Sequence, residues 1–432
     1  MRNKITLLLV LFFSLSNICF SQSGWFLQLN MSGEYFYGVD FINSSTGIVV
    51  GNYVVMKTIN GGNNWFQINQ GISTYPLMCI KMCDSSNVLI GSEFGTFLKT
   101  TNGGTNWILI NLGFASHIND IFFITRDTVF AVGKYNYGGY IFKSTNGGTN
   151  WMASGFSVGF DNTDFKCICF TSASVGYIAS ASNNGPPGFQ TEGEILKTTN
   201  GGDNWFIQFT STNNSAYDIF FMNSLTGFAG LNNSTLKTTN GGTNWILVGG
   251  GSCTPERMNF RNLLLGYAVG YTGSSGTNYT IMNTTNGGIS WQIQMSSTYD
   301  TYNDLCFTND NTGWVVSGGF LYGGKIFKTT TGGTTGINNI TGDIPVHFSL
   351  SQNYPNPFNP VTRIKFDLPK SSNVKLVIYD VLGREIETIV NDNKKAGTYE
   401  VDWDGNNYAS GVYFYKLVTD EYTETKKMVL IK

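Results

Sequence analysis

The chain has 432 residues, 26 Lys or Arg against 28 Asp or Glu, a formal charge of −2 and only 12% charged residues. A near-neutral chain with no basic stretch has nothing to track a phosphate backbone, so nucleic acid is not an expected partner. With 52 Gly and 15% aromatic residues, the composition suits many short strands joined by tight turns.

Residues 1–21 read as a secretory signal peptide. Arg2 and Lys4 form a basic start, and Leu7 to Leu15 is an apolar run too short to span a bilayer as a helix. Cys19-Phe20-Ser21 offers a cleavage site that makes Gln22 the mature N-terminus. Cys19 also allows a lipoprotein, although Ser16-Asn17-Ile18 is a poor lipobox. No later segment is long and apolar enough for a transmembrane helix.

From Met56 to Gly333 a cassette of the form K-T-T-N-G-G-x-N-W recurs seven times, every 40 to 54 residues. Such a period marks a solenoid or propeller. Anchored on the residue before the Gly pair, the cassettes fall at Asn60, Asn102, Asn146, Asn200, Asn240, Asn286 and Thr331. Six are followed by a Trp, and the seventh stops without one. The N-terminal stretch Ser23-Gly24-Trp25-Phe26-Leu27 supplies a Trp-led strand that no cassette owns. The simplest closure is a seven-bladed β-propeller over residues 22–336 in which Trp25 completes the last blade. One blade reads as strands at Asp218–Phe221, Gly227–Gly230 and Ser234–Thr238, a turn at Asn240–Gly242, and a fourth strand from Trp245. Gly takes the positive φ of the turn, Asn caps neighbouring amides, and Trp packs between blades. The cassettes therefore read as scaffolding.

Ser144-Thr145-Asn146-Gly147-Gly148-Thr149-Asn150-Trp151 resembles the Asp-box of sialidase-type propellers, with Asn in place of Asp. The longer pattern, G-[YFW]-x-x-G followed by the cassette, resembles the repeats of photosystem II assembly and stability factors and their bacterial relatives. That resemblance implies a propeller whose boxes lie away from the ligand face and do no chemistry.

Aligning the first strands on Phe41, Met82, Phe123, Phe170, Phe221, Phe260 and Phe307 places Gly38, Cys79, Asp120, Cys167, Asp218, Arg257 and Asp304 on one ring near the mouth of the central channel. Asp120, Asp218, Asp304 and Arg257 are the candidate ligand-binding constellation; the plain alternative is strand-start carboxylates accepting local backbone hydrogen bonds. On the same face four connections between second and third strands look enlarged: Lys134 to Tyr140, Ser182 to Glu194, Tyr271 to Tyr279, and Gly318 to Gly324. They carry Tyr135, Tyr137, Tyr140, Phe189, Tyr271, Tyr279, Phe320 and Tyr322. Of these, Tyr137, Tyr271, Tyr279 and Tyr322 are candidate contacts to a glycan or protein, because flat rings give contact area at low entropic cost.

Cys79, Cys83, Cys167, Cys169, Cys253 and Cys306 read mostly as small buried hydrophobes, with no zinc-site spacing. No metal or cofactor is expected. Catalysis lacks positive support: the propeller holds only Arg126, Arg257 and Arg261, His117 is its sole histidine, and no phosphate or dinucleotide loop occurs. A glycoside hydrolase built on Asp120, Asp218 and Asp304 remains the enzymatic alternative.

Ile337 to Asp343 is a polar stretch within a linker, residues 337–345, leading to an all-β unit over 346–432. Strands are predicted at Thr362–Leu368, Val374–Asp380, Glu385–Val390, Thr398–Trp403, Val412–Val418 and Thr423–Ile431, implying an immunoglobulin-like β-sandwich. Tyr354-Pro355-Asn356-Pro357-Phe358-Asn359-Pro360, Val381-Leu382-Gly383-Arg384, Ala409-Ser410-Gly411-Val412-Tyr413-Phe414 and Lys427–Lys432 resemble the type A sorting domain of type IX secretion. The resemblance implies recognition by that machinery at the outer membrane and release or attachment at the cell surface, usually with cleavage of the domain. An adhesive module is the plain alternative. The whole chain thus reads as a secreted or surface-attached, non-catalytic binding propeller. The alternatives are a secreted glycosidase or an assembly factor for an envelope complex.

Overall fold

The structure, a computed structural model, describes residues 24–432 apart from 69–74, 114–116, 136–137, 157–162, 184–190, 213, 251–252, 274–277, 320–322, 334–337, 340–344 and 406–407. The signal segment, Tyr137, Phe189, Phe320 and Tyr322 lie outside the described residues. Seven antiparallel sheets of four strands each form the blades of a propeller, and two further four-stranded sheets form a C-terminal sandwich. Blade 5 has strands Ala216–Phe221, Gly227–Leu231, Ser234–Thr238 and Ile246–Gly250, close to the spans read from its sequence.

The ring closes through the N-terminal strand. Gly24–Met31 pairs antiparallel with Gly324–Gly333, from Gly24 opposite Gly333 to Met31 opposite Gly324, and becomes the outer strand of blade 7. Trp25 meets Phe307 edge-on at 5.8 Å. Trp65 and Trp245 meet Phe41 and Phe221 the same way, at 6.0 and 5.9 Å. The Trp25 indole also donates to Gln294 Oε1 in blade 6 at 3.0 Å.

Blades stack through the aromatic residue of G-[YFW]. Trp314 of blade 7 lies flat on Phe41 of blade 1 at 3.6 Å, Phe228 on Phe260 at 3.7 Å, and Tyr267 on Phe307 at 3.8 Å. Where the cassette carries a lysine it can span the seam, whereas blade 6 has Asn283 at that position. Lys328 sits over the Trp314 ring and donates to Gly61 O of blade 1 at 2.8 Å; Lys197 sits over Tyr177 and donates to Gly241 O of blade 5 at 2.7 Å. The pattern had marked the Asn, Gly and Trp as staples and had given the Lys no role.

Within a cassette, the Thr58 hydroxyl donates to Asn60 Oδ1 at 3.0 Å and accepts from Gly62 N at 2.8 Å, while Asn60 Oδ1 also accepts from Asn64 N at 3.0 Å. Gly61 N then donates to Ser45 O, in the turn between first and second strands, and the equivalent bond recurs in every blade through to Gly332 N and Asn311 O. The cassettes therefore lie on the face opposite the channel mouth at which the first strands begin.

Three of the four enlarged connections, Gly318 to Gly324 excepted, are corrected in kind. Tyr271 and Tyr279 face each other across a continued ladder between Gly266–Thr272 and Asn278–Thr284, and Tyr135 pairs with Gly138. These are lengthened hairpins, because aromatic and β-branched residues keep pairing across the strands until the glycine- and serine-rich tip.

The sandwich has strands Val361–Leu368, Ser372–Tyr379, Glu385–Lys394, Gly397–Asp404, Gly411–Val418 and Thr423–Leu430. Ser349–Leu350 and Asn338–Asn339 add two short edge strands that the sequence reading did not include. Alternation places Ile364, Phe366, Leu376, Ile378, Tyr415 and Met428 fully inside, around Trp403.

Candidate functional site

The first strands touch one another all the way round the ring, blade 7 against blade 1 included, so they line the central channel. Asp120, Asp218, Arg257 and Asp304 share one level of it, as their spacing predicted. All four are engaged between blades, the three aspartates through backbone amides and Arg257 through the Tyr217 carbonyl. Asp120 Oδ2 accepts from Ile168 N at 2.9 Å, Asp218 Oδ2 from Met258 N at 2.6 Å, and Asp304 Oδ2 from Val39 N at 2.9 Å, each time from the following blade. The other oxygens of Asp120 and Asp304 accept from their own next residues, Ile121 and Leu305. Where the ring residue is a cysteine, the thiol bridges instead: Cys79 Sγ reaches Ile118 O and Cys167 Sγ reaches Ile219 O. Gly38 sits tight against the next blade, since a Cβ there would fall 3.3 Å from the Cys79 backbone.

Arg257 donates to the carbonyls of Tyr217 and Glu256, both at 3.2 Å. Burial opposes its charge, but Asp218 above all, with Asp120 and Asp304, more than offsets this and raises its pKa. Burial pushes Asp304 up to about 7, against the pull of Arg257 and of the Val39 and Leu305 amides. Asp218 is raised for the same first reason.

One residue nearer the mouth, every blade carries a β-bulge. The ladder between first and second strands skips one residue each time: Tyr37, Met78, Asn119, Lys166, Tyr217, Glu256 and Asn303. A bulge leaves one residue unpaired and re-aims its side chain. All seven are half-buried, although the residues on either side are largely buried outright. Asn119 donates to Asp164 Oδ1 at 2.6 Å, and Lys166 bonds the same carboxylate at 2.5 Å. Burial raises Glu256, with Arg257 and Lys166 pulling it down. Burial raises Tyr37 as well, reinforced by Tyr35, Glu93 and Tyr53.

The sequence reading missed this ring, yet a signal for it was present. The glycine four residues after the Gly that opens the second strand lies where the bulge brings backbone close, as in Gly47-Ile48-Val49-Val50-Gly51 and Gly266-Tyr267-Ala268-Val269-Gly270. A Cβ on Gly51 or Gly270 would fall 2.1 Å from Tyr35 O or 1.9 Å from Thr254 O. Isolated strand glycines mark such close approaches.

Tyrosines surround the mouth. Tyr271 lies within 3.5 Å of the Tyr217 hydroxyl and donates to Asn232 Oδ1 at 3.2 Å; Tyr279 is near Glu256, Tyr35 and Tyr271. Tyr35 meets Tyr37 in a tilted contact at 4.8 Å and bonds the Thr301 hydroxyl. Two more aromatics come from turns that had drawn no notice because they are short. Tyr53 and Phe94, 53% and 47% exposed, are held at φ 56° and 61°. Left-handed backbone is unusual for bulky residues and clusters at functional sites.

Among the described residues, no group of three or more His, Cys, Asp or Glu is placed to hold a metal ion, and no helix is long and apolar enough to cross a membrane. The six described cysteines are free thiols.

Comparison with known proteins places these features. Residues 352–432 match the family model described as secretion system C-terminal sorting domain, and residues 20–154 match that of photosynthesis system II assembly factor YCF48. No curated protein sequence matches the chain. Among solved structures, YCF48 from Cyanidioschyzon merolae is similar at 17% identity and TM-score 0.53, over 71% of this chain and 98% of that one. A structure of YCF48 bound to D1 peptide aligns at 16% identity and TM-score 0.54, over 71% and 97%. The GH74 xyloglucanase from Xanthomonas campestris aligns at 11% identity and TM-score 0.52, over 80% of this chain and 59% of that chain. At these identities the structural likenesses establish the fold alone. The chain carries a YCF48/BNR-like seven-bladed propeller region joined to a C-terminal type IX sorting domain, which implies engagement by the secretion machinery and passage across the outer membrane.

Proposed function

We propose that the exported propeller is a non-catalytic binding protein, secreted or held at the cell surface, and that its channel mouth takes a segment of another protein. The observation that carries this reading is the bulge ring. Its geometry repeats in all seven blades while its side chains differ: two tyrosines, two amides, a methionine, a lysine and a glutamate. A repeated frame with varied chemistry suits an asymmetric polymer of mixed donors, acceptors and apolar groups, which is a polypeptide. The D1 peptide held by YCF48 is consistent with this use of the fold. Asp120, Asp218, Asp304 and Arg257 form the floor, where they supply the field beneath the ligand while bonding blade to blade. Backbone amides on the three carboxylates favour binding over acid–base work, which needs a carboxyl free to exchange a proton with substrate. The exposed Tyr53 and Phe94, with the half-buried Tyr271 and Tyr279, give a glycan reading its support, since aromatic rings also stack on sugars.

The test is retention of the purified mature chain on arrayed envelope peptides and on a panel of polysaccharides. Selective peptide capture is expected, falling at least tenfold in Tyr217→Ala and Glu256→Gln variants whose unfolding transition is unchanged. Capture by polysaccharide alone selects the glycan reading. Release of reducing sugar, abolished by Asp218→Asn, would replace both with a hydrolase.

A further inference from the structure

The four stretches that carry the sorting-domain resemblance are far apart in the chain, and the fold brings all of them to one end of the sandwich. Phe358 N donates to Val429 O at 3.0 Å, and Ile431 N donates back to Phe358 O at 2.9 Å. Asn356 Oδ1 accepts from Val429 N at 2.9 Å, and Ser410 Oγ accepts from Lys432 N at 2.9 Å. Gly405 N donates to Pro360 O at 2.8 Å. Tyr379, which leads into the 380–384 turn, pairs with Phe414.

This end differs from the other. The opposite end, where Ser349 pairs with Asp367, carries the Lys370–Glu421 and Lys394–Asp392 ion pairs. The signature end displays Val381 and Leu382, 64% and 75% exposed, with Ile431 at 51%, where the opposite end exposes Val346. Single exposed aliphatics are ordinary, but three gathered at one tip are not scattered. The turn that presents them is fixed from within. The Asp380 carboxylate accepts from Leu382 N at 2.9 Å, Arg384 N at 3.0 Å and Arg384 Nε at 2.6 Å, and Gly383 takes φ 76°. A bare apolar pair held rigid avoids the ordering cost of binding.

We propose that this end is the docking face of the sorting domain, with Val381 and Leu382 entering an apolar groove on the secretion machinery that the domain's family implies as its partner. Because the residues touch the machinery and not the core, their loss stops export without loosening the domain.

The experiment is export of the full chain from a host with type IX secretion, comparing protein outside the cell with precursor retained in the periplasm. The V381S/L382S variant is expected to accumulate inside, with extracellular protein down at least tenfold and an unchanged unfolding transition. The K370S/E421S variant, at the opposite end, is expected to leave export as it was. Wild-type export of V381S/L382S, or an equal loss from K370S/E421S, overturns the proposal. Should V381S/L382S lower the unfolding transition, Leu382→Gln, which keeps the length of the side chain, decides by the same criterion.

Discussion

The cassette rim and the channel mouth are built on the same sevenfold frame and use it in opposite ways. At the rim both geometry and residues repeat: the Thr hydroxyl, the Asn carbonyl and the paired Gly recur in the same bonds from Thr58 and Asn60 to Thr284 and Asn286. At the mouth the bulge repeats and the side chains do not, so Lys166, Tyr217 and Glu256 stand side by side at equivalent positions. Repeating both is what holding blades together requires, since every seam is the same problem. Repeating only the backbone is what an asymmetric ligand requires.

The largest effect that would test this contrast belongs to the rim. Trp25→Ala should cost ~3–5 kcal/mol, because Trp25 is 5% exposed and closes the ring against Phe307 and Gln294. Chemical denaturation of the mature chain measures it, and a loss below ~1 kcal/mol would remove the N-terminal strand from any role in closure.

A smaller effect of opposite sign belongs to the mouth. Tyr53→Gly should raise stability by ~1 kcal/mol, since glycine carries no left-handed penalty. The same change should weaken ligand capture severalfold. Gain of stability with full capture would make Tyr53 a turn residue only.

The smallest effect is on pH. Burial pushes Glu194, 1% exposed beside Ser180, up to about 7, with Glu192 adding to the rise. A carboxyl raised in the fold binds its proton more tightly there than in the unfolded chain. Its contribution is therefore complete below the ordinary glutamate range and is lost as pH climbs through about 7. Melting temperature should fall by roughly a few degrees between pH 5 and pH 8 in the native chain, and Glu194→Gln should flatten that slope. An identical slope in the variant would place the titration elsewhere, Asp304 being the next group to substitute.

The cassette spacing was enough to count seven blades, and the orphan Trp25 was enough to close them, because those residues make local turns whose needs are written within nine positions. Turn signals likewise placed six sandwich strands near their observed bounds. Asp120, Asp218, Arg257 and Asp304 were correctly brought to one ring by counting back from a shared Phe. What they do there was not legible, since their partners Ile168, Met258 and Val39 come from the next blade. The lengthened hairpins looked like loops because pairing across a strand leaves no mark on either strand alone.

The bulges decided the rest. A strand's side chains alternate with period two, so one inserted residue turns Asn119, Tyr217, Glu256 and Asn303 toward the mouth and leaves the aspartates one step below. The sequence by itself determined the repeat, the closure and the C-terminal sorting domain, all carried by short motifs with local physical requirements. Only the tertiary structure decided which side chains meet in the channel and at the tip of the sorting domain, because those meetings depend on backbone that passes from one blade or sheet to the next.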